Sequence, residues 1–290
     1  MSSDLGRRFA IDPRRIYATG MSGGARVALQ IALNNESIAG VIASSAGYPD
    51  SQPRGSVKFA LFGTAGTEDF NYIEMRMLDR KLKSPHRLAV FEGGHTLPPE
   101  SVALEAIEWM EIQAMKSGRR PREETLIDRL LEKRRAAAGA APNDVDAVHL
   151  LDAIVADFTG LRDVAGEAAR LKQLSQQADV KKALSRERDA DAAESQLLSE
   201  IFELEASLGD DERRATAMMS LRDRLSRLAK KAGAETESAE RSQARRVLRA
   251  VTAGAAGRVQ DPEYRALLDQ FVPRGRQGGQ PSPQASNALG

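Results

Sequence analysis

Ile16-Tyr17-Ala18-Thr19-Gly20-Met21-Ser22-Gly23-Gly24-Ala25-Arg26-Val27-Ala28-Leu29 decides the fold of the first half of this chain. A short apolar run leads into G-x-S-x-G, and an apolar-periodic helical pattern leaves it. Strand, sharp turn and helix in that order form the setting in which a serine becomes a nucleophile. The bare pattern also occurs in Gly-rich turns that do no chemistry, so the flanking strand and helix carry the reading. A serine hydroxyl attacks only if a base removes its proton and N–H groups receive the developing oxyanion. The turn is expected to lift Ser22 above the strand end, with Met21 and Gly23 beside it. The Gly23 N–H, at a helix N-terminus, would then face the reacting carbonyl. Small residues flank Ser22 because a Cβ there is expected to clash.

Outward from the turn, short apolar runs alternate with helical patterns as far as about Ser117. Strands are expected at Arg15–Thr19, Ile38–Ser44, Val57–Gly63 and Arg87–Glu92, and helices at Gly24–Asn34, Ile73–Leu82 and Glu100–Met115. Each strand run is apolar on both faces, which suits a parallel sheet covered by helices. The rhythm predicts an α/β fold with a parallel sheet. Its polar, Gly-rich loops follow the strands, where open α/β sheets place ligands.

After Gly118-Arg119-Arg120-Pro121 the pattern changes: Ala, Arg, Glu and Leu dominate and strand runs disappear. Helices are expected at Glu123–Ala138, Asp144–Asp157, Leu161–Leu174, Asp179–Ser207, Asp210–Ala232, Ser238–Ala253 and Pro262–Phe271. Asp210-Asp211-Glu212 puts acids on a first turn, and Asp261-Pro262 is a cap followed by proline at the first helical position. Leu197, Leu198, Ile201, Leu204 and Leu208 mark one buried stripe, and Leu221, Leu225 and Leu228 another. The fold class is therefore α/β followed by all-α. Residues 1–118 form the α/β domain, 119–273 a helical domain, and the Gly/Pro/Gln/Ser-rich stretch 274–290 a tail expected to be disordered.

Composition narrows the function. The 290 residues carry 42 Lys+Arg against 41 Asp+Glu, a formal charge of +1, which favours neither nucleic acid nor an anionic membrane as partner. Basic pairs such as Lys230-Lys231 sit among acids without interleaved aromatics, so nucleic-acid binding is not expected. Cysteine is absent, which removes disulfides, thiolate nucleophiles and cysteine metal sites. No H-E-x-x-H or phosphate-binding loop is present, and neither metal nor cofactor is expected. No apolar run reaches the roughly 18–20 residues of a membrane span, and Met1–Arg8 has no signal-peptide core. The chain as written reads as cytoplasmic, or as secreted or periplasmic if an upstream signal peptide has been lost.

A nucleophilic serine needs a histidine base and an acid to orient it. Of the three histidines, His95 lies in Phe91-Glu92-Gly93-Gly94-His95, just past the last strand, with two glycines to fold the loop back. His86 enters that strand at its opposite end, and His149 sits on a helix of the second half. For the acid, the loop after the third strand offers Asp69 and, as second choice, Glu68. Either could instead serve only the N-terminus of the next helix. The order Ser22, Asp69, His95 matches the chain order of α/β-hydrolase triads.

These residues resemble the α/β-hydrolase superfamily, in its polyhydroxyalkanoate-depolymerase-like and feruloyl-esterase-like branch. Asp12 to Gly24 looks like that branch's run into its nucleophile elbow, and Phe91–His95 like its histidine loop. The Trp often found after that histidine is Leu97 here. The resemblance covers roughly residues 4–114. It implies hydrolysis of small or polymeric carboxylic esters through an acyl-enzyme, with Ser22, His95 and Asp69 as triad. In that superfamily several strands and a first oxyanion loop precede the elbow, whereas here only the helix-like lead Met1–Ala10 does. The second oxyanion N–H then has no counterpart, and the loss of one donor costs about 10²–10³ in turnover. A four-stranded sheet would also leave the elbow strand as an apolar edge. An amino-terminally shortened hydrolase is the expected reason, ahead of a partner that supplies the edge or a catalytically dead derivative. The alternative function is an impaired hydrolase whose helical half is a scaffold for a protein partner or for self-association.

Overall fold

The computed structural model describes residues 8–50 and 54–271. Most of the expected lead (residues 1–7) and the expected 274–290 tail lie outside them. Strands β1 (Ile16–Met21), β2 (Ile38–Ser44), β3 (Ala60–Gly66) and β4 (His86–Phe91) form one sheet in the order β1-β2-β3-β4. All three pairings are parallel. Helix α1 (Gly23–Asn34) joins β1 to β2, and α2 (Tyr72–Lys81) joins β3 to β4. Helix α3 (Glu100–Lys116) follows β4.

Side-chain alternation along the strands explains the layers. Val41, Ala43 and Leu61 point to one face, where they pack with Ala25, Ala28 and Leu29 of α1 and Leu78 of α2. Their neighbours Ile42, Ala60 and Phe62 point to the other face, against Ala106, Trp109 and Met110 of α3. Phe62 and Trp109 meet edge to face, ring centroids 5.7 Å apart. Among the described residues strand β1 has a neighbour on one side only, as a four-stranded sheet with the elbow strand at its end requires. Leu104 and Ile107 of α3 and Val27 and Ile31 of α1 are exposed.

The remaining helices are α4 (Glu124–Gly139), α5 (Asp144–Phe158), α6 (Ala165–Gln176), α7 (Ala178–Ala206), α8 (Asp211–Ala232), α9 (Ala239–Arg258) and α10 (Pro262–Leu268). They are not a free appendage. Helices α4 and α5 build a core on Ile112 and Met115 of α3. Helices α7 to α10 build another that takes in Ile73 of α2, on the opposite face of the sheet. Buried ion pairs reinforce both contacts. Asp157 of α5 accepts from Trp109 Nε1 at 2.8 Å and from Arg87 of β4 at 2.5 Å. Asp191 of α7, 6% exposed, accepts from Arg76 of α2 at 3.0 Å and from Arg80 at 2.5 Å. The stripe of Leu198 and Ile201 packs inside the chain against Leu221 and Leu225 of α8 and Val247 of α9.

Several expected boundaries shift; β1 runs on to Met21 rather than Thr19 and α10 stops at Leu268 rather than Phe271, and three other elements move for a tertiary reason. β3 begins at Ala60 rather than Val57 and runs on to Gly66, because β2 and β4 supply ladder partners on both sides of Gly63-Thr64. Such pairing overrides the weak strand preference of these small residues. Helix α6 starts at Ala165 rather than Leu161: Gly160, at φ +85°, opens a turn in which Leu161 and Val164 are buried without being helical. Helix α9 runs five residues past Ala253 to Arg258, whose guanidinium binds Glu205 of α7 at 2.8 Å.

Candidate active site

Three chain segments leave the carboxyl end of the sheet, each following a strand. The first is the turn after β1. Ser22 donates its N–H to Ser44 O at 2.8 Å, as if continuing the ladder. Its carbonyl already accepts from Ala25 and Arg26, at 3.0 and 3.2 Å, as the first acceptor of α1. One residue thus serves strand and helix at once, and it does so at φ 53°, ψ −120°. That conformation is costly for a residue with a Cβ, of order 1–3 kcal/mol.

Gly20 permits the turn. An added Cβ there would lie 2.3 Å from the Gly24 carbonyl carbon and oxygen. At Gly23 and Gly24 an added Cβ would meet nothing within 4 Å, so the expected crowding holds before the serine and not after it. The N–H groups of Gly23 and Gly24 open α1, where a helix has no internal carbonyl to offer them. They concentrate positive potential beside Ser22.

The second segment is the loop after β3. Asp69 is fully buried, and its Oδ1 accepts from His95 Nδ1 at 2.9 Å. The same oxygen accepts the Asn71 N–H at 2.8 Å, a short-range turn that a carboxylate on a one-carbon arm can close. Asp69 is not the cap of α2: Asn71 occupies that position. Glu68, the second choice for the acid, turns away from His95. Its carboxylate pairs with Arg245 and with Arg249 of α9, the latter at 2.8 Å.

The third segment is the loop after β4. His95 stacks on Phe70, ring centroids 4.0 Å apart and 25° from parallel. With Nδ1–H donated to the carboxylate, Nε2 is left as the acceptor. The loop crosses so close to the end of β3 that a Cβ on Gly66 would lie 2.4 Å from the carbonyl oxygens of Gly93 and Gly94. It reaches the end of β2 as well, where Ser45 Oγ donates to Thr96 O at 3.5 Å. His95 is thereby carried back toward the strand next to Ser22, which sits half-buried at the end of β1.

The other sequence candidates lie elsewhere. His86 is at the amino end of β4, with Nδ1 2.7 Å from Ser84 O and Nε2 3.7 Å from Asp79. Burial pushes the Asp79 carboxyl up from its ordinary value, with the neighbouring His86, Arg76 and Arg80 opposing it. His149 is an exposed partner of Glu187. A cavity of about 570 Å³, lined by Tyr17, Phe59, Lys83, Trp109 and Lys116 among others, opens at the amino ends of the strands. It touches none of Ser22, Asp69 and His95.

Several supporting residues carried no signal in the sequence. Ser45 shares the left-handed strain of Ser22, at φ 60°, and its carbonyl accepts from Asn71 Nδ2 at 2.7 Å. Arg26 of the elbow helix makes a two-pronged bond to Glu74 of α2, at 2.7 and 2.8 Å, and binds Tyr48 O at 2.7 Å. Glu74 in turn accepts the Gly47 N–H at 2.9 Å. An Arg and a Glu on separate helices look like solvated surface until the fold brings them together. Asn71, two residues past Asp69 and just before a helix, was the one legible sign, since Asp-x-Asn is turn chemistry.

Among the described residues no group of three or more His, Asp or Glu side chains is placed to hold a metal ion. Nor is any described helix long and apolar enough to cross a membrane. No protein-family model, curated protein or solved structure matches the chain.

Proposed function

We propose that this chain is a serine hydrolase of α/β-hydrolase type that cleaves carboxylic esters through Ser22, His95 and Asp69. The observation that carries the reading is the buried Asp69 carboxylate bonded to His95 Nδ1 at 2.9 Å, at the same sheet end as a serine held at φ 53°. In this mechanism Ser22 Oγ attacks the ester carbonyl carbon while His95 Nε2 takes its proton. The oxyanion of the tetrahedral intermediate receives the Gly23 N–H, reinforced by the amino end of α1. His95 then protonates the leaving alcohol as the carbon–oxygen bond breaks, leaving an acyl-serine. Water, deprotonated by His95, attacks the acyl carbon; the bond to Ser22 Oγ breaks, His95 returns the proton to that oxygen, and the acid leaves. Asp69 holds the imidazole tautomer and balances its transient positive charge. The resemblance of Asp12–Gly24 and Phe91–His95 supports reading it alongside polyhydroxyalkanoate-depolymerase-like and feruloyl-esterase-like enzymes.

A second reading rests on β1. No described strand lies beyond it, so no described loop brings a second oxyanion donor from that side. On that reading the site is an impaired hydrolase and the helical half carries the function. Labelling of the purified chain with a fluorophosphonate, beside Ser22→Ala and Asp69→Asn, separates the two. The first reading expects labelling that Ser22→Ala abolishes and that Asp69→Asn slows about 10³-fold or more. A folded chain that does not label favours the second.

A further inference from the structure

The two peptide units that precede Asp69 are gripped from both sides. On one side, Thr67 N–H donates to Phe91 O and Glu68 N–H donates to Gly93 O, each at 2.8 Å. That ties the acid loop to the loop carrying His95. On the other side, Thr67 O accepts from Arg246 Nη1 at 2.9 Å and Glu68 O accepts from Arg249 Nη1 at 2.8 Å. Both arginines belong to α9, and the bonds span 179 and 181 positions of the chain.

Main-chain carbonyls are the informative acceptors here. A surface ion pair holds two side-chain ends and leaves the backbone free, whereas these guanidiniums fix the loop backbone itself. Each is anchored in turn. Arg246 is bonded to Glu194 of α7, 2% exposed, at 2.9 and 2.5 Å, and it lies 4.3 Å over the Tyr72 ring. Arg249 also pairs with the Glu68 carboxylate at 2.8 Å, and Arg245 joins it there. Burial pushes the Tyr72 hydroxyl up from its ordinary value, so the ring beneath Arg246 stays neutral.

We propose that Arg246 and Arg249 are positioning residues for the active site: the helical half braces the Asp69 loop against the His95 loop. Resting on the triad reading above, this gives the helical region a part in the ester-cleaving site in place of a detached scaffold. A carboxylate that drifts by about 1 Å rotates the imidazole away from Ser22, and displacements of that size cost up to about 10² in rate.

The test uses the full chain with Arg245→Met/Arg249→Met, which leaves the buried Arg246–Glu194 pair intact, beside Arg249→Lys. Two quantities are read: the fluorophosphonate labelling rate, and water exchange of the low-field His95 Nδ1 proton in ¹⁵N-histidine-labelled protein. The double variant should label about 10-fold more slowly and exchange that proton at least about 10-fold faster, with kcat falling and KM within about twofold. Arg249→Lys, which can still donate to the Glu68 carbonyl, should restore most of both. If the double variant does not fold, Arg249→Gln carries the same two readings, since Arg249 is 36% exposed. A folded double variant with unchanged exchange and labelling, matched by a folded Arg246→Met chain that is equally unchanged, overturns the brace. Faster exchange in a chain whose parent never labels sustains the brace and removes the Ser22 reading instead.

Discussion

Gly20→Ala, measured beside Gly24→Ala, puts the elbow geometry at risk. The two glycines bracket Ser22 in sequence, yet only one of them is needed for steric reasons. An added Cβ at Gly20 would stand 2.3 Å from the Gly24 carbonyl carbon and oxygen and 2.8 Å from the Ala25 nitrogen. All three are main-chain atoms of the first turn of α1, so no rotamer change relieves the contact. Ordinary contact begins at 3.4 Å, which means the end of β1 and the start of α1 must part by about 1 Å. Neither can move freely. Gly20 pairs with Ala43 in the sheet, and Ala25 and Leu29 of α1 are fully buried against it. Overpacking typically costs about 1–3 kcal/mol where side chains can adjust. With backbone on both sides the upper figure applies, about 3 kcal/mol or on the order of 100-fold in the folding equilibrium. At Gly24 a Cβ meets nothing within 4 Å, and alanine exceeds glycine in a helix by up to about 1 kcal/mol. Urea unfolding of parent and variants reads both, with a shifted midpoint at constant slope as the signature of changed stability. Gly20→Ala within about 0.5 kcal/mol of parent, or equal losses at the two sites, would refute the reasoning.

Asp157→Ala should cost about 3 kcal/mol in the same assay, because it strips the Trp109 N–H of its acceptor and leaves Arg87, 10% exposed, with Glu105 alone. A loss below about 1 kcal/mol would mean that this network does not fasten α5 to the sheet. Asp261 caps α10 through the Tyr264 N–H at 2.9 Å and binds Arg214 at 2.7 Å, and the arginine bond followed by the backbone bond holds its carboxyl below the ordinary range. A group whose pKa is lowered on folding stabilises the protein above its unfolded value, 3.8, and loses that contribution as pH falls through the folded value. Asp261→Asn keeps the cap and removes the charge, so it should be less stable than parent by about 0.5–1 kcal/mol at pH 7, with the gap narrowing toward pH 3. A gap of constant size across that range would contradict the ion-pair assignment.

The sequence by itself determined the elements and their order. The apolar run, the Gly-x-Ser-x-Gly turn and the periodic helix after it need only local rules, and Ile16–Met21, Ser22 and Gly23–Asn34 follow them. Boundaries moved where non-local partners outweigh propensity, as at Gly63–Gly66, strand because β4 pairs along all of it and β2 as far as Thr64. In the candidate site, the order Ser22, Asp69, His95 was readable, with Asp69 preferred to Glu68, but not where either carboxylate points. Both are acids in one loop, one residue apart. Only the tertiary structure decided where each points, Asp69 inward to His95 and Glu68 outward to Arg245 and Arg249. It likewise decided that the helical half touches the acid loop, since a bond across 179 positions leaves no periodic trace in a chain. Local patterns are written in spacing, which the sequence holds directly. Contacts between distant segments depend on how the packed layers come together, and a charged side chain reads as solvated surface until its partner arrives.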